Sequence, residues 1–113
     1  MTKRSERRNA TAANAEDAKE PRKLSTTFLL LAMYDGRTCV SAEEVARDFF
    51  SLGRDQFVRK VDRGEIDLPL IRIESSAKAA RLVHVNDLAA YIDRRREEAE
   101  ATLARTLASR DTT

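Results

Sequence analysis

Arg54, Gln56, Arg59, Lys60 and Arg63 fall within one short stretch, and the last four repeat at i, i+3, i+4 and i+7. That spacing places Gln56, Arg59, Lys60 and Arg63 on one face of a helix over Asp55–Arg63. Phe57, Val58 and Val61 take the opposite face, and Asp55 and Asp62 fall off the stripe. A guanidinium pairs bidentately with the guanine edge, a glutamine amide pairs with adenine, and an ammonium neutralises phosphate. The stripe therefore has the chemistry to read double-stranded DNA from a groove. A solvated charged face is the plainer reading of the same residues, and the surroundings must decide between them.

A second donor cluster follows. Ser75, Ser76 and Lys78 lie in a small, polar stretch, with Arg72 before it and Arg81 after it. Hydroxyls and cations on a protruding tip suit phosphate or minor-groove contacts; a plain polar loop is the alternative. Catalysis has no comparable cluster. His84 is the single histidine and Cys39 the single cysteine, so neither a nucleophile–base set nor a zinc pair can be assembled. Gly36, Gly53 and Gly64 stand too far apart for a phosphate-cradling loop. His84 is expected to be a structural or surface side chain. The expectation is a protein that is not an enzyme and needs no cofactor or metal.

The elements that would position the donors are legible around them. Ser41 and Glu44 match a capping box, followed by Ala42, Val45, Ala46, Phe49 and Phe50 on one helical face. That helix should stop near Ser51, before Gly53, and a turn of about four residues leads to the basic helix, with Gly64 just beyond it. Helix, short Gly-containing turn, helix is the outline of a helix-turn-helix. Leu68–Ile73 and Arg81–Val85 then predict a two-stranded hairpin, with Pro69 near its start, where proline is tolerated. Asn86 is expected to cap a last helix running to about Ala108, which no Gly or Pro interrupts. Upstream, Thr26–Asp35 reads as a short helix capped by Gly36, although Asp35-Gly36 could equally turn a hairpin. Thr38–Val40 reads as a short strand.

Composition sets the limits. The 113 residues fit one domain, and 42% apolar against 35% charged and 5% aromatic content makes its core small. The net charge is only +2, so local clustering, not overall charge, argues for nucleic acid. Residues 1–25 carry seven basic against four acidic side chains, a net of +3, with no apolar period. They read as a disordered basic arm, either adding salt-sensitive affinity or acting as a solubilising tail. The longest apolar run, Phe28–Tyr34, has seven residues where roughly 20 are needed to cross a bilayer. It lies too far from the basic start to form a signal peptide. At the other end, Arg96, Ala99, Leu103 and Leu107 form a thin stripe, and Arg94–Glu98 and Arg96–Glu100 are placed for i, i+4 pairs. The tail over 96–113 is either a self-associating helix or a frayed, solvated end.

Residues 26–95 resemble the pyocin activator protein family, small phage-derived transcription activators of bacterial genomes. The resemblance is carried by Thr26-Thr-Phe-Leu-Leu30, Tyr34 with Gly36, Val45 with Asp48 and Phe50, and Arg59-Lys60. It continues through Gly64-Glu-Ile-Asp-Leu-Pro69, Arg72, Glu74-Ser-Ser76 with Lys78, Arg81-Leu-Val-His84, and Asp87-Leu-Ala with Tyr91. The layout is also similar to that of the excisionases, recombination directionality factors that bind adjacent sites, bend DNA and steer an integrase. The resemblance implies an α+β fold, an excisionase- or MerR-like winged helix-turn-helix with a two-stranded wing and a long C-terminal helix, over 26–95.

The expected function is a sequence-specific DNA-binding regulator of a prophage or integrative mobile element, acting in transcriptional activation, in excision control, or in both. The implied partners are double-stranded DNA, further copies of the chain in a homo-oligomer or cooperative array, and an integrase or RNA polymerase. No membrane is involved, and the expected location is cytoplasmic, on the nucleoid when bound. The competing reading is a protein-interaction module, an antiactivator, on the same fold.

Overall fold

The computed structural model describes residues 23–111, so the basic arm read at 1–25 lies outside the described residues except for its last three. Ser25 among those belongs to the fold, because its hydroxyl accepts from the Phe28 N–H at 3.1 Å and caps helix α1, Thr26–Met33. The helix ends in a turn in which Asp35 and Gly36 both take positive φ, 58° and 77°. Glycine adopts that conformation freely, and aspartate is among the few other residues that tolerate it. The Gly36 N–H closes back on the Leu31 carbonyl at 2.7 Å. The Asp-Gly pair therefore ends a helix and does not turn a hairpin.

Strand β1, Cys39–Ser41, leads into α2, Ala42–Val45. The capping box forms as read: Ser41 Oγ accepts from the Glu44 N–H at 3.1 Å, and the Glu44 carboxylate accepts from the Ser41 N–H at 3.4 Å. Over Ala46–Phe50 the helix widens into a π turn, which the sequence pattern did not signal. It stops at Ser51, in the left-handed conformation at φ 55°. Three residues later α3, Arg54–Asp62, begins.

The expected hairpin is corrected. Strand β2, Leu82–His84, pairs antiparallel with β1, Cys39 opposite His84 and Ser41 opposite Leu82. Towards the 68–73 segment it makes a single bridge, Ile71 to Leu82. The segment cannot pair at length, because Pro69 has no N–H to give and Ile66 and Leu68 are drawn into the core. Beyond Ile71 the chain to Ala80 is mostly exposed and, apart from Ile73, holds only polar residues and alanines, so it offers no large cross-strand apolar pairs to extend a ladder. Among the described residues the fold is thus α+β, with four α-helices and one two-stranded antiparallel sheet.

The last helix, α4, Val85–Asp111, starts two residues before Asp87, the first helical residue expected after an Asn86 cap. His84 Nδ1, not the Asn86 side chain, accepts the orphan Asn86 N–H at 3.0 Å. Leu88 is buried and Tyr91 and Ile92 pack against the core, as their spacing required. From Arg94 onward every described residue is exposed. The Arg96–Glu100 pair forms at 3.7 Å, but Arg94 turns away from Glu98. It reaches the Asp67 carbonyl at 3.1 Å and lies 5.8 Å over the Tyr91 ring, and Arg95 pairs with Glu98 instead.

One core joins these elements. Phe57 and Val45 are fully buried, with Val40, Val83 and Leu88 at 1% exposure or less. Phe50 bridges the Phe57 ring at 5.0 Å and the Tyr91 ring at 5.7 Å. Among the described residues, no charged or polar residue is buried.

Polar contacts also tie the α1 turn to α2 and its π turn. The Tyr34 hydroxyl donates to Asp48 at 2.7 Å. Burial first, then that hydrogen bond, pushes the phenol above its usual range, so it stays a donor. Glu44 is held down to about 2, chiefly by the Arg37 guanidinium at 2.9 Å and then by the Ser41 hydroxyl. A carboxylate with a depressed folded pKa stabilises above its unfolded value, and that contribution is lost as pH falls towards the folded one. The melting temperature of the wild type should therefore exceed that of Glu44→Gln at neutral pH. The gap should close between about pH 4.5 and pH 2. Parallel melting curves through that window would show that the Arg37–Glu44 contact contributes nothing.

Candidate nucleic-acid interface

Helix α3 turns about 100° per residue, so its two faces can be assigned from its packing. Phe57 points inward, with Val58 and Val61 packed beside it. Gln56, Arg59 and Arg63 are exposed on the opposite arc, and Lys60 stands at its margin, partly covered. The amphipathic split read from the sequence is present in the fold.

The structure does not leave all of these donors equally available. The Arg59 side chain makes no hydrogen bond or ion pair with any described residue, and the Gln56 side chain likewise has no partner among them. Lys60 and Arg63 share one carboxylate, Glu65, at 3.4 and 3.3 Å. Arg63 first and then Lys60 lower its pKa. The sequence pattern gave Glu65 no role, because it lies past the helix end. It is brought back by Gly64, whose φ of 80° lets the Glu65 N–H return to the Lys60 carbonyl at 2.9 Å. Arg54, at the start of α3, pairs with its neighbour Asp55 at 2.9 Å.

The 72–81 loop divides in the same way. Arg72 and Lys78 are exposed, and their side chains meet no described partner; Ser75 is exposed as well. Ser76 shapes the tip: its hydroxyl accepts from the Lys78 N–H at 3.1 Å and its carbonyl from the Ala79 N–H at 3.0 Å. Arg81 is not free. Its side chain is 16% exposed, and the guanidinium pairs with Asp62 Oδ1 at 3.2 Å. That bond ties the return limb of the loop to the last residue of α3, so helix and loop are held as neighbours. Sequence spacing does not reveal it, because the two residues lie 19 positions apart.

Of the ten residues read as DNA contacts, Gln56, Arg59, Arg72, Ser75 and Lys78 are exposed on two adjoining elements with no side-chain partner among the described residues. Arg54, Lys60 and Arg63 are engaged in surface ion pairs, Ser76 builds the tip turn, and Arg81 joins the two elements. The same loop carries one side chain that the donor search passed over. Ile73 is 75% exposed, the most exposed of the large apolar side chains. Among the described residues, no cluster of His, Cys, Asp and Glu is placed to hold a metal ion, and no helix is long and apolar enough to cross a membrane.

Among the described residues, the small α+β domain thus displays Arg59 on α3 and Arg72 and Lys78 on the adjoining loop as cations without ion-pair partners. The family comparison is specific: residues 26–99 match the family described as Pyocin activator protein PrtN, and the chain belongs to that family. The family is one of activators, and so of transcription regulators. No curated protein and no solved structure matches the chain significantly. Several residues that carry the resemblance meet one another in the fold, Tyr34 with Asp48 and Phe50 with Tyr91.

Proposed function

We propose that the chain is a sequence-specific, double-stranded-DNA-binding activator of prophage-like genes. On this reading the fold is a winged helix-turn-helix, with α2 and α3 as its two helices and the 72–81 loop as its wing. α3 enters the major groove, where Gln56, Arg59 and Arg63 meet base edges or flanking phosphates. Arg72, Ser75 and Lys78 contact the backbone of the adjacent groove. The chain carries out no catalytic step. The observation that carries the reading is the Asp62–Arg81 bond, which sets two donor-bearing elements side by side at one end of α3.

Glu65 has a part in this reading. It occupies Lys60 and Arg63 in the free protein, and phosphate replaces it on binding. Glu65→Gln should therefore tighten binding to random-sequence duplex and steepen its salt dependence, since two cations are released from an internal competitor. Unchanged affinity would place Lys60 and Arg63 outside the interface.

The test of the whole reading is a titration of the full chain against genomic fragments across a salt series. Tight binding to a subset of fragments, with affinity falling steeply as salt rises, is the expected result. Flat, weak binding would leave the protein-interaction reading in its place. Footprints then separate the outputs: one site upstream of a promoter accords with activation, whereas several abutting sites beside a recombination junction accord with excision control. Cooperative occupancy would bring copies together through the exposed end of α4, where Leu103 and Leu107 stand free of the core.

A further inference from the structure

We propose that Ile73 is an apolar wedge that enters the minor groove of bound DNA and inserts between two stacked base pairs. The inference rests on the DNA-binding reading and adds a contact that is not made through charge. Eight large apolar side chains are exposed among the described residues. Four of them, Leu24, Phe28, Leu29 and Met33, sit on or beside α1 in apolar company, Phe49 lies next to Phe50 in the π turn, and Leu103 and Leu107 follow one another along α4. Ile73 is different in kind. It is 75% exposed, takes no part in the core, and is flanked by Arg72 and the Glu74-Ser75-Ser76 run, with Lys78 further round the loop.

Neither packing nor turn chemistry accounts for an isoleucine there. Position 73 lies in a bend, where Gly, Asn, Asp, Ser and Pro are the residues with a conformational reason to be present. A stiff β-branched side chain loses little rotamer freedom when it is fixed. Proteins that read the minor groove use such side chains to part a base step, while neighbouring cations hold the phosphates on either side. Arg72 and Lys78 are unpaired and stand on the same loop. The loop also has a defined base from which to push. Ile71 and Leu82 exchange both backbone hydrogen bonds at 2.8 Å, and Arg81 anchors the next residue to α3. Ile73 lies two residues beyond that rung, near enough to be aimed by it and far enough to project.

The test uses the full chain and a duplex of about 30 base pairs selected by the protein from a random-sequence pool, with dyes at its ends to report bending. A second duplex carries a single mismatch at the step beneath the wing, which is already partly unstacked. Wild type should bend the intact duplex and prefer the mismatched one on the order of tenfold, because the unstacking cost is prepaid there. Ile73→Ala should lose both the bend and the preference while keeping its salt dependence, and Ile73→Leu should keep both. An Ile73→Ala variant that bends and discriminates like wild type overturns the wedge alone. A wild type that shows no salt-dependent DNA binding overturns the wedge together with the reading on which it rests.

Discussion

Arg59→Ala is expected to weaken binding to a selected duplex by roughly 1–3 kcal/mol, about 5- to 150-fold, and to relax base preference at one position. The magnitude follows from where the side chain stands. Arg59 is near the centre of the outward arc of α3, exposed, and without an ion-pair partner among the described residues. No internal contact has to be broken before it meets a base, and nothing in the fold is lost when it is removed. Lys78→Ala, on the wing, should instead weaken all sequences alike and lower the salt slope by about one. Binding curves for the two variants against matched and scrambled duplexes separate these outcomes. Equal, sequence-independent losses at both positions would mean that α3 holds phosphate and does not read bases.

Phe57→Ala acts on the opposite face of the same helix, and its expected cost is about 3–5 kcal/mol of folding stability. The ring is fully buried and meets Phe50 in a tilted contact at 5.0 Å, and Phe50 in turn meets Tyr91. Removing it opens a cavity where α2, α3 and α4 converge, and the π turn at Ala46–Phe50 leaves little freedom to collapse into it. Set against the roughly 5–15 kcal/mol that stabilises a small domain, this cost is a large share of the total, so the unfolding midpoint should fall steeply. Denaturant unfolding followed by circular dichroism measures this directly. A midpoint within a few tenths molar of wild type would show that the three helices are not held through this ring. Phe57→Leu should recover most of the loss.

The contrast between what could and could not be read in advance follows the range of the interactions. The capping box at Ser41 and Glu44, the stop at Ser51 and the two faces of α3 are local, and their spacing alone specifies them. The sheet is different. Its partners, 39–41 and 82–84, lie more than forty residues apart, and a short apolar run does not say which neighbour it will pair with. The hairpin looked equally good on paper, but burial of Ile66 and Leu68 and the missing N–H of Pro69 leave it one bridge. The site divides the same way. The donors were legible from type and period. Which of them are already occupied depended on Glu65 folding back over Gly64 and on Asp62 finding Arg81 across 19 residues.

The absence of buried charge among the described residues has an evolutionary corollary. Each polar side chain that this reading gives a role in recognition lies outside the core, so substituting one leaves no desolvated partner behind. Residues 56, 59 and 63 can therefore vary at little cost to folding, and on the proposed function the recognised sequence would drift quickly while the domain stays intact. A library randomised at those three positions should consist mostly of folded members with divergent targets. A regulator carried between genomes on mobile DNA would profit from such latitude, since each new host confronts it with different promoters.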